Sequence, residues 1–246
     1  MASTSICTSD LTSITVRGRD LVNDLVGELS FTEMLYFLAC GREPDAAQAK
    51  VLDACLVTIM EHGINPSTIV ARLIADTVPE EPQVAIAAGL LGIGGVFAGT
   101  SEQCAAILVE LKKQGEGAVR ETAERLLASG QPIPGFGHLH HKPDDPRSPR
   151  LFAVAERAGI KQDYTSLLRK LGAAIDAAKG RHITINATGA IGALMLDIEV
   201  PVAAIRCFSV VARSAGLTAH LLEEKSNPAA RTIWRESRNA VPYVAP

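Results

Sequence analysis

The chain has 246 residues, a formal net charge of -3, 47% hydrophobic residues and 21% charged ones. So even a balance lacks the concentrated basic surface that nucleic acid demands, and the length suffices for a substantial core. The longest apolar runs, such as 84–97, contain glycines and stop short of the roughly 18–20 residues of a membrane span, and Met1-Ala2-Ser3-Thr4 lacks a secretory pattern.

Five cysteines (Cys7, Cys40, Cys55, Cys104, Cys207) are scattered, odd in number and without a C-x-x-C pair. Reduced thiols in a cytoplasmic protein are therefore expected, rather than a disulfide frame or a zinc ribbon.

In chain order, Ile14-Thr15-Val16-Arg17-Gly18 is β-branched and closed by glycine, which reads as a small strand. Helical spacing begins at Leu21. Ser30 and Glu33 fit a capping box for a helix ending at Gly41. Pro44-Asp45 opens the next, with Leu52, Leu56, Ile59 and Met60 recurring at helical spacing until Gly63. Asn65-Pro66 reads as a cap followed by proline at the first helical position. Glu81-Pro82 starts a helix that is apolar on every side, which must be buried or packed against a partner chain.

After the Gly94-Gly95 break, helices are expected over about 100–114 and 117–129. Beyond residue 147, Ser148-Pro149 should cap a helix to Gly159 and Asp163 a longer one to Gly180. A glycine-rich helix over 186–196 and a long one from Pro201 to about Lys225 follow. The tail from Ile233 reads as polar and irregular, anchored by Trp234 and Tyr243. Roughly ten to twelve helices with almost no strand make this an all-α chain.

One stretch concentrates the chemistry: Gly135-Phe136-Gly137-His138-Leu139-His140-His141-Lys142-Pro143-Asp144-Asp145-Pro146-Arg147. Glycine and proline keep it off a continuous helix, and ionisable groups on irregular backbone face ligand or solvent. A metal site would draw on His138, His140 and His141, but no spaced Cys or His partner accompanies them. A plain surface loop is the second reading. An anion site is the third, with His138 and Arg147 bonding a carboxylate and Lys142 offering a point charge to phosphate. Arg213, on a helix otherwise rich in Val, Ala, Leu and Phe, needs either an internal carboxylate or a bound anion. His62 at a helix end and Arg235 and Arg238 in the tail have default structural or surface roles. The Gly-rich turns 94–99 and 186–189 carry Phe97 and Thr188 in place of an acid or base.

These residues resemble the citrate synthase superfamily. Gly135-Phe136-Gly137-His138, Lys142 and Asp145-Pro146-Arg147 are similar to its G-[FY]-G-H…K…D-P-R loop. Glu61-His62-Gly63-Ile64-Asn65-Pro66-Ser67-Thr68 is similar to its D-H-x-x-N-x-S-T junction, and Ala212-Arg213…Gly216…Ala219-His220 to its A-R-x-x-G-x-x-A-H helix. The order holds over about residues 14–246, and the segment 186–192 with the ending Tyr243-Val244-Ala245-Pro246 is most similar to the short citryl-CoA lyases and the citrate-cleaving module of ATP-citrate lyase.

The resemblance implies a single unit over 1–246 with a large helical domain and a smaller one, about 140–215, inserted in it. It implies a homodimer or higher even oligomer, each site completed by the partner's C-terminal arginine, for which Arg235 is the better match. His62, His138, Arg147, Arg213 and Arg235 would hold the carboxylate substrate. Lys142 with Gly135 and Gly137 would lie against coenzyme A, the thioester carrier, and no metal is implied.

Two positions depart from the family pattern. Phe97 stands where citrate synthases carry a thioester-binding histidine, and Thr188 where an N-x-D-G motif places the catalytic aspartate. A threonine hydroxyl donates a hydrogen bond but is no base near neutral pH, and loss of a positioned acid–base group costs about a hundred- to ten-thousand-fold in rate. With His138 and Thr188 at the reaction centre, His140, His141 or Asp197 remains to carry the proton. Three readings follow: a citryl-CoA lyase, a related carbon–carbon lyase or synthase using another acyl-CoA or 2-oxo acid, and a carboxylate- and CoA-binding protein without turnover.

Overall fold

The computed structural model describes residues 2–96 and 99–245. A three-stranded antiparallel sheet opens the chain, β1 (Cys7–Ser9), β2 (Ile14–Val16) and β3 (Arg19–Asp20), in that spatial order. Asp10 Oδ1 accepts from the Thr12 and Ser13 amides at 2.8 Å each, which closes the first turn. Arg17 and Gly18 take positive φ in the second, where glycine costs least. The Arg17 guanidinium donates to the Leu38 carbonyl and ties the sheet to the first helix.

Eleven α-helices follow among the described residues: α1 (Phe31–Cys40), α2 (Ala46–Met60), α3 (Pro66–Thr77), α4 (Pro82–Leu91), α5 (Thr100–Gln114), α6 (Val119–Ala128), α7 (Arg147–Arg157), α8 (Asp163–Lys179), α9 (Ala187–Asp197), α10 (Val202–Ser226) and α11 (Ala230–Ala240). The all-α expectation holds, and the expected caps explain several starts. Ser30 and Glu33 form a reciprocal capping box, as do Asp45 and Gln48, and Asn65 caps α3 ahead of Pro66.

The core wraps α9. Its residues Ala190, Ile191, Ala193, Leu194 and Met195 have no exposed surface, and α5, α7 and α8 pack around it. Gly192 permits this: a Cβ there would sit 2.5 Å from the Ser101 carbonyl. α10 is long and apolar enough to cross a bilayer by length and composition alone. It packs against α2, α3, α4 and α5 with Ile205, Phe208, Ala212 and Leu217 buried.

Three expectations need correction. The tail is helical, not irregular: α11 occupies 230–240, and Trp234 and Tyr243 are 60% and 86% exposed rather than anchored. Its N-terminal amides are capped from outside the helix, Glu224 Oε1 accepting from Ala229 and Ala230 at 2.8 Å each. α7 begins at Arg147, and the Ser148 hydroxyl donates to the Ile185 carbonyl (2.8 Å) instead of capping it. Asp163 likewise leaves the capping of α8 to Asp197, which accepts from the Tyr164 and Thr165 amides at 2.7 and 3.1 Å.

Candidate active site

The first wall of the site is the turn from α2 to α3. Glu61 follows the last residue of α2, and its Oε1 accepts from the amides of His62 (2.7 Å) and Gly63 (2.5 Å). Gly63 has φ +67°, a conformation that would strain any side chain, and Asn65 then caps α3. His62 is therefore displayed on a tightly tied turn.

The second wall is the histidine loop, laid over the start of α9. The Gly137 amide donates to the Thr184 carbonyl at 2.8 Å, the Asn186 amide to the Gly135 carbonyl at 3.0 Å, and Asn186 Nδ2 to the Gly137 carbonyl at 2.8 Å. Gly135 and Gly189 touch backbone to backbone, since a Cβ on Gly189 would lie 2.4 Å from the Gly135 carbonyl oxygen. Asp145 is the staple beneath. Fully buried, it accepts from the Ala187 amide (2.9 Å) and grips Arg147 with both oxygens, at 2.9 and 2.8 Å. Burial alone would raise its pKa, but these bonds outweigh burial and hold it at about 2. Its charge aims the Arg147 guanidinium.

Four imidazoles gather there. The His62 ring lies 5.9 Å from His138 edge-on and 6.4 Å from His141, while His141 stacks on His138 at 4.3 Å. His140 sits 6.1 Å from His138 on the exposed side. His138 Nδ1 accepts from the amides of His140 (3.1 Å) and His141 (3.0 Å), so Nε2 carries the proton. That N–H lies 3.3 Å from Arg147 Nη2, another donor. Two donors side by side require a shared acceptor, as a carboxylate or carbonyl oxygen provides.

Electrostatics agree. Burial is the main cause that lowers the pKa of His62, joined by the charges of Arg147, Arg213 and His141. Burial also lowers His138, with His141 and Arg147 adding to it. Arg213 reaches in from α10. Its Nη1 is buried without a hydrogen-bond partner among the described residues, and burial lowers its pKa against the opposing pull of Glu61. A buried donor left unpaired costs about 1–3 kcal/mol or more, which a bound anion would recover. Donors and positive charge are in excess, and the arrangement suits a multiply charged carboxylate or an oxyanion.

At the start of α9, Thr188 Oγ1 accepts from Thr100 (2.9 Å) and donates to Asn186 Oδ1 (2.7 Å). Its proton is committed to the helix cap, so the hydroxyl orders this turn. Phe97 lies outside the described residues. Lys142 is exposed on the loop, and Arg235 is exposed on α11, beside its neighbour Glu236 at 3.4 Å. The fold thus brings together His62, His138, Arg147 and Arg213, but leaves Lys142 and Arg235 on the surface of this chain. Among the described residues no group of three His, Cys, Asp or Glu is arranged to hold a metal ion. Sequence reasoning overlooked Arg72, which is 2% exposed. The argument applied to Arg213 would have found it, because Arg72 also stands in an apolar helix, between Ile69 and Ile74.

Comparison with known proteins now bears on this geometry. The model of the citrate synthase C-terminal domain matches residues 16–237. The chain belongs to the citrate synthase family. It is 31% identical over 204 residues to a citrate synthase of Synechocystis sp., covering 81% of this chain and 51% of that protein. The chain therefore spans about half the length of the curated relatives it matches. Among solved structures, citryl-CoA lyase from Hydrogenobacter thermophilus superposes with a TM-score of 0.90 at 29% identity, over 100% of this chain and 95% of the other. ATP citrate lyase from Methanothrix soehngenii, solved with citrate and coenzyme A, gives a TM-score of 0.84 at 21% identity, covering 100% of this chain and 42% of the other, and shows the shared fold.

Proposed function

We propose that this family member is a carbon–carbon lyase of the citryl-CoA type, cleaving a citryl-type 3-hydroxyacyl-CoA to oxaloacetate and acetyl-CoA. The observation that carries the reading is the superposition on citryl-CoA lyase along nearly the whole of both chains. Arg147 and Arg213 fork onto the substrate carboxylates, and the Nε2–H of His138 bonds the oxygen that becomes the keto group. Cleavage transfers the hydroxyl proton to a base and leaves the electron pair on the acetyl carbon, which then takes up a proton.

Thr188 is bound to Asn186 and Thr100, and Asp197 is consumed in capping α8, so neither moves that proton. His141, stacked on His138, is the first choice, with the exposed His140 next to it. Coenzyme A enters as the thioester of the substrate, with Lys142 and the glycine turn 135–137 as its contacts. Dimerisation, through which Arg235 of one protomer would complete the site of the other, and a cytoplasmic location belong to the same proposal.

The test is direct. Purified protein incubated with citryl-CoA should release oxaloacetate, detected by coupled reduction with malate dehydrogenase, and Arg147→Ala should abolish the signal. Absence of product above background at high protein concentration rules the reading out.

A further inference from the structure

Arg72 touches none of the residues assigned to substrate, yet it is among the most deeply buried side chains of the molecule. Its Nη1 donates to Glu224 Oε2 at 2.6 Å, and its Nη2 is paired with Glu223. Nε and Nη2 lie 3.1 and 2.8 Å from His220 Nδ1. Facing a guanidinium, Nδ1 must be the acceptor, so the His220 proton is on Nε2. That Nε2 is 3.0 Å from Glu61 Oε1, off the line of a straight hydrogen bond, so the contact is mainly electrostatic.

The same Glu61 oxygen holds the amides of His62 and Gly63. Burial raises the pKa of Glu61, but His220 and those amides outweigh it and keep the group ionised. At the other end, Glu224 uses its second oxygen to cap α11. One continuous path, Glu224–Arg72–His220–Glu61, therefore runs from the start of α11 through α3 and α10 to the backbone of His62. Gly216 keeps the path open, since a Cβ there would lie 2.1 Å from the Met60 carbonyl and 2.9 Å from Glu61 Oε2.

We infer that Arg72 is a positioning residue: through His220 and Glu61 it fixes the turn that presents His62, and through Glu224 it ties that turn to α11. A buried ion pair is seldom the most stabilising filling for its space, and apolar side chains commonly do as well or better. Directional bonds at both ends of Arg72 supply what apolar packing does not, a single orientation for the His220 ring, whose Nε2–H lies against the Glu61 carboxylate. The inference rests on the proposed carboxylate site for its functional meaning, but its geometry does not depend on which reaction occurs there.

The experiment compares Arg72→Met, Glu224→Gln and Arg72→Lys with wild type. Ring titration of His62 by NMR and oxaloacetate affinity by calorimetry are read alongside melting temperature. Once the turn loosens, His62 becomes less buried and moves away from Arg147 and Arg213, so its pKa should rise toward the ordinary histidine value in Arg72→Met. Oxaloacetate binding should weaken on the order of tenfold or more. Glu224→Gln, which keeps shape and loses charge, should shift both in the same direction by less, and Arg72→Lys should recover part of each.

A lower melting temperature with unchanged His62 titration in the folded variants would overturn the inference. If Arg72→Met does not fold, Glu224→Gln decides by the same readouts. Should wild type show no lyase activity or oxaloacetate binding while the His62 titration still moves, the function proposal falls and the relay stands.

Discussion

Burial and the guanidiniums beside them lower the pKa values of His62 and His138, so anion binding at the proposed site would be coupled to protonation. Their pKa values lie below the ordinary value in the free protein, and an anion bound between them and the arginines would raise both. Binding must then take up protons. Oxaloacetate affinity should increase as pH falls from about 8 to 6, and calorimetry in buffers of different ionisation enthalpy should show net proton uptake. Proton release, or indifference to the buffer, would place the anion elsewhere. In the free protein the sign for stability is opposite: with folded pKa values below the unfolded ones, protonation favours the unfolded chain. Stability conferred by neutral imidazoles is lost as pH drops through the histidine range, and saturating oxaloacetate should restore it.

At the scale of elements, the site depends on how closely the histidine loop lies against α9. Gly189 and Gly135 make that approach possible, and Gly189→Ala would drive a methyl into the Gly135 carbonyl. Relief requires moving the loop, at a cost of about 2–3 kcal/mol. In a chain of this size that is a fall of roughly 5–10 °C in melting temperature, with weakened oxaloacetate binding because Arg147 and His138 move too. Gly117→Ala, where nothing lies within 4 Å and φ is not positive, is the control and should leave both nearly unchanged.

The elements themselves were largely legible in the sequence, because caps such as Ser30, Asp45 and Asn65 are local signals that the structure uses as written. α11 was not, since its cap is the side chain of Glu224 on the preceding helix, and the start of α8 was capped by Asp197 from 33 residues away. Neither carboxylate occupies the cap position just ahead of the helix, where a local pattern would reveal it. Only Arg213 was readable as an isolated cation on an apolar helix; its grouping with His138 and Arg147 came from the resemblance to the family motifs. The bond from the Ala187 amide that fixes Asp145, and Arg72 as the hub behind His62, are visible only once segments distant in sequence are packed.

For the whole molecule, one chain does not account for the surface of α4. The helix is apolar on all sides, yet only Ala85 and Gly89 are buried, where α3 and α10 press against it. Val84, Ala87 and Leu91 recur at one helical face toward solvent, Val84 45% and Leu91 88% exposed, and Val96 continues the apolar surface at 79%. Helices of this composition are stable in water only when that face is covered. In the proposed dimer, a second copy related by a two-fold axis would cover it with the identical face, and Arg235 is exposed on its own chain. The dimer should therefore persist at micromolar concentration in light scattering. Leu91→Glu would set two charges against each other across the axis. It should shift the protein to the single-chain mass and lower oxaloacetate binding only if Arg235 reaches the neighbouring site. A wild-type protein with the single-chain mass at high concentration would leave α4 without a partner copy and would require each site to be complete within one chain.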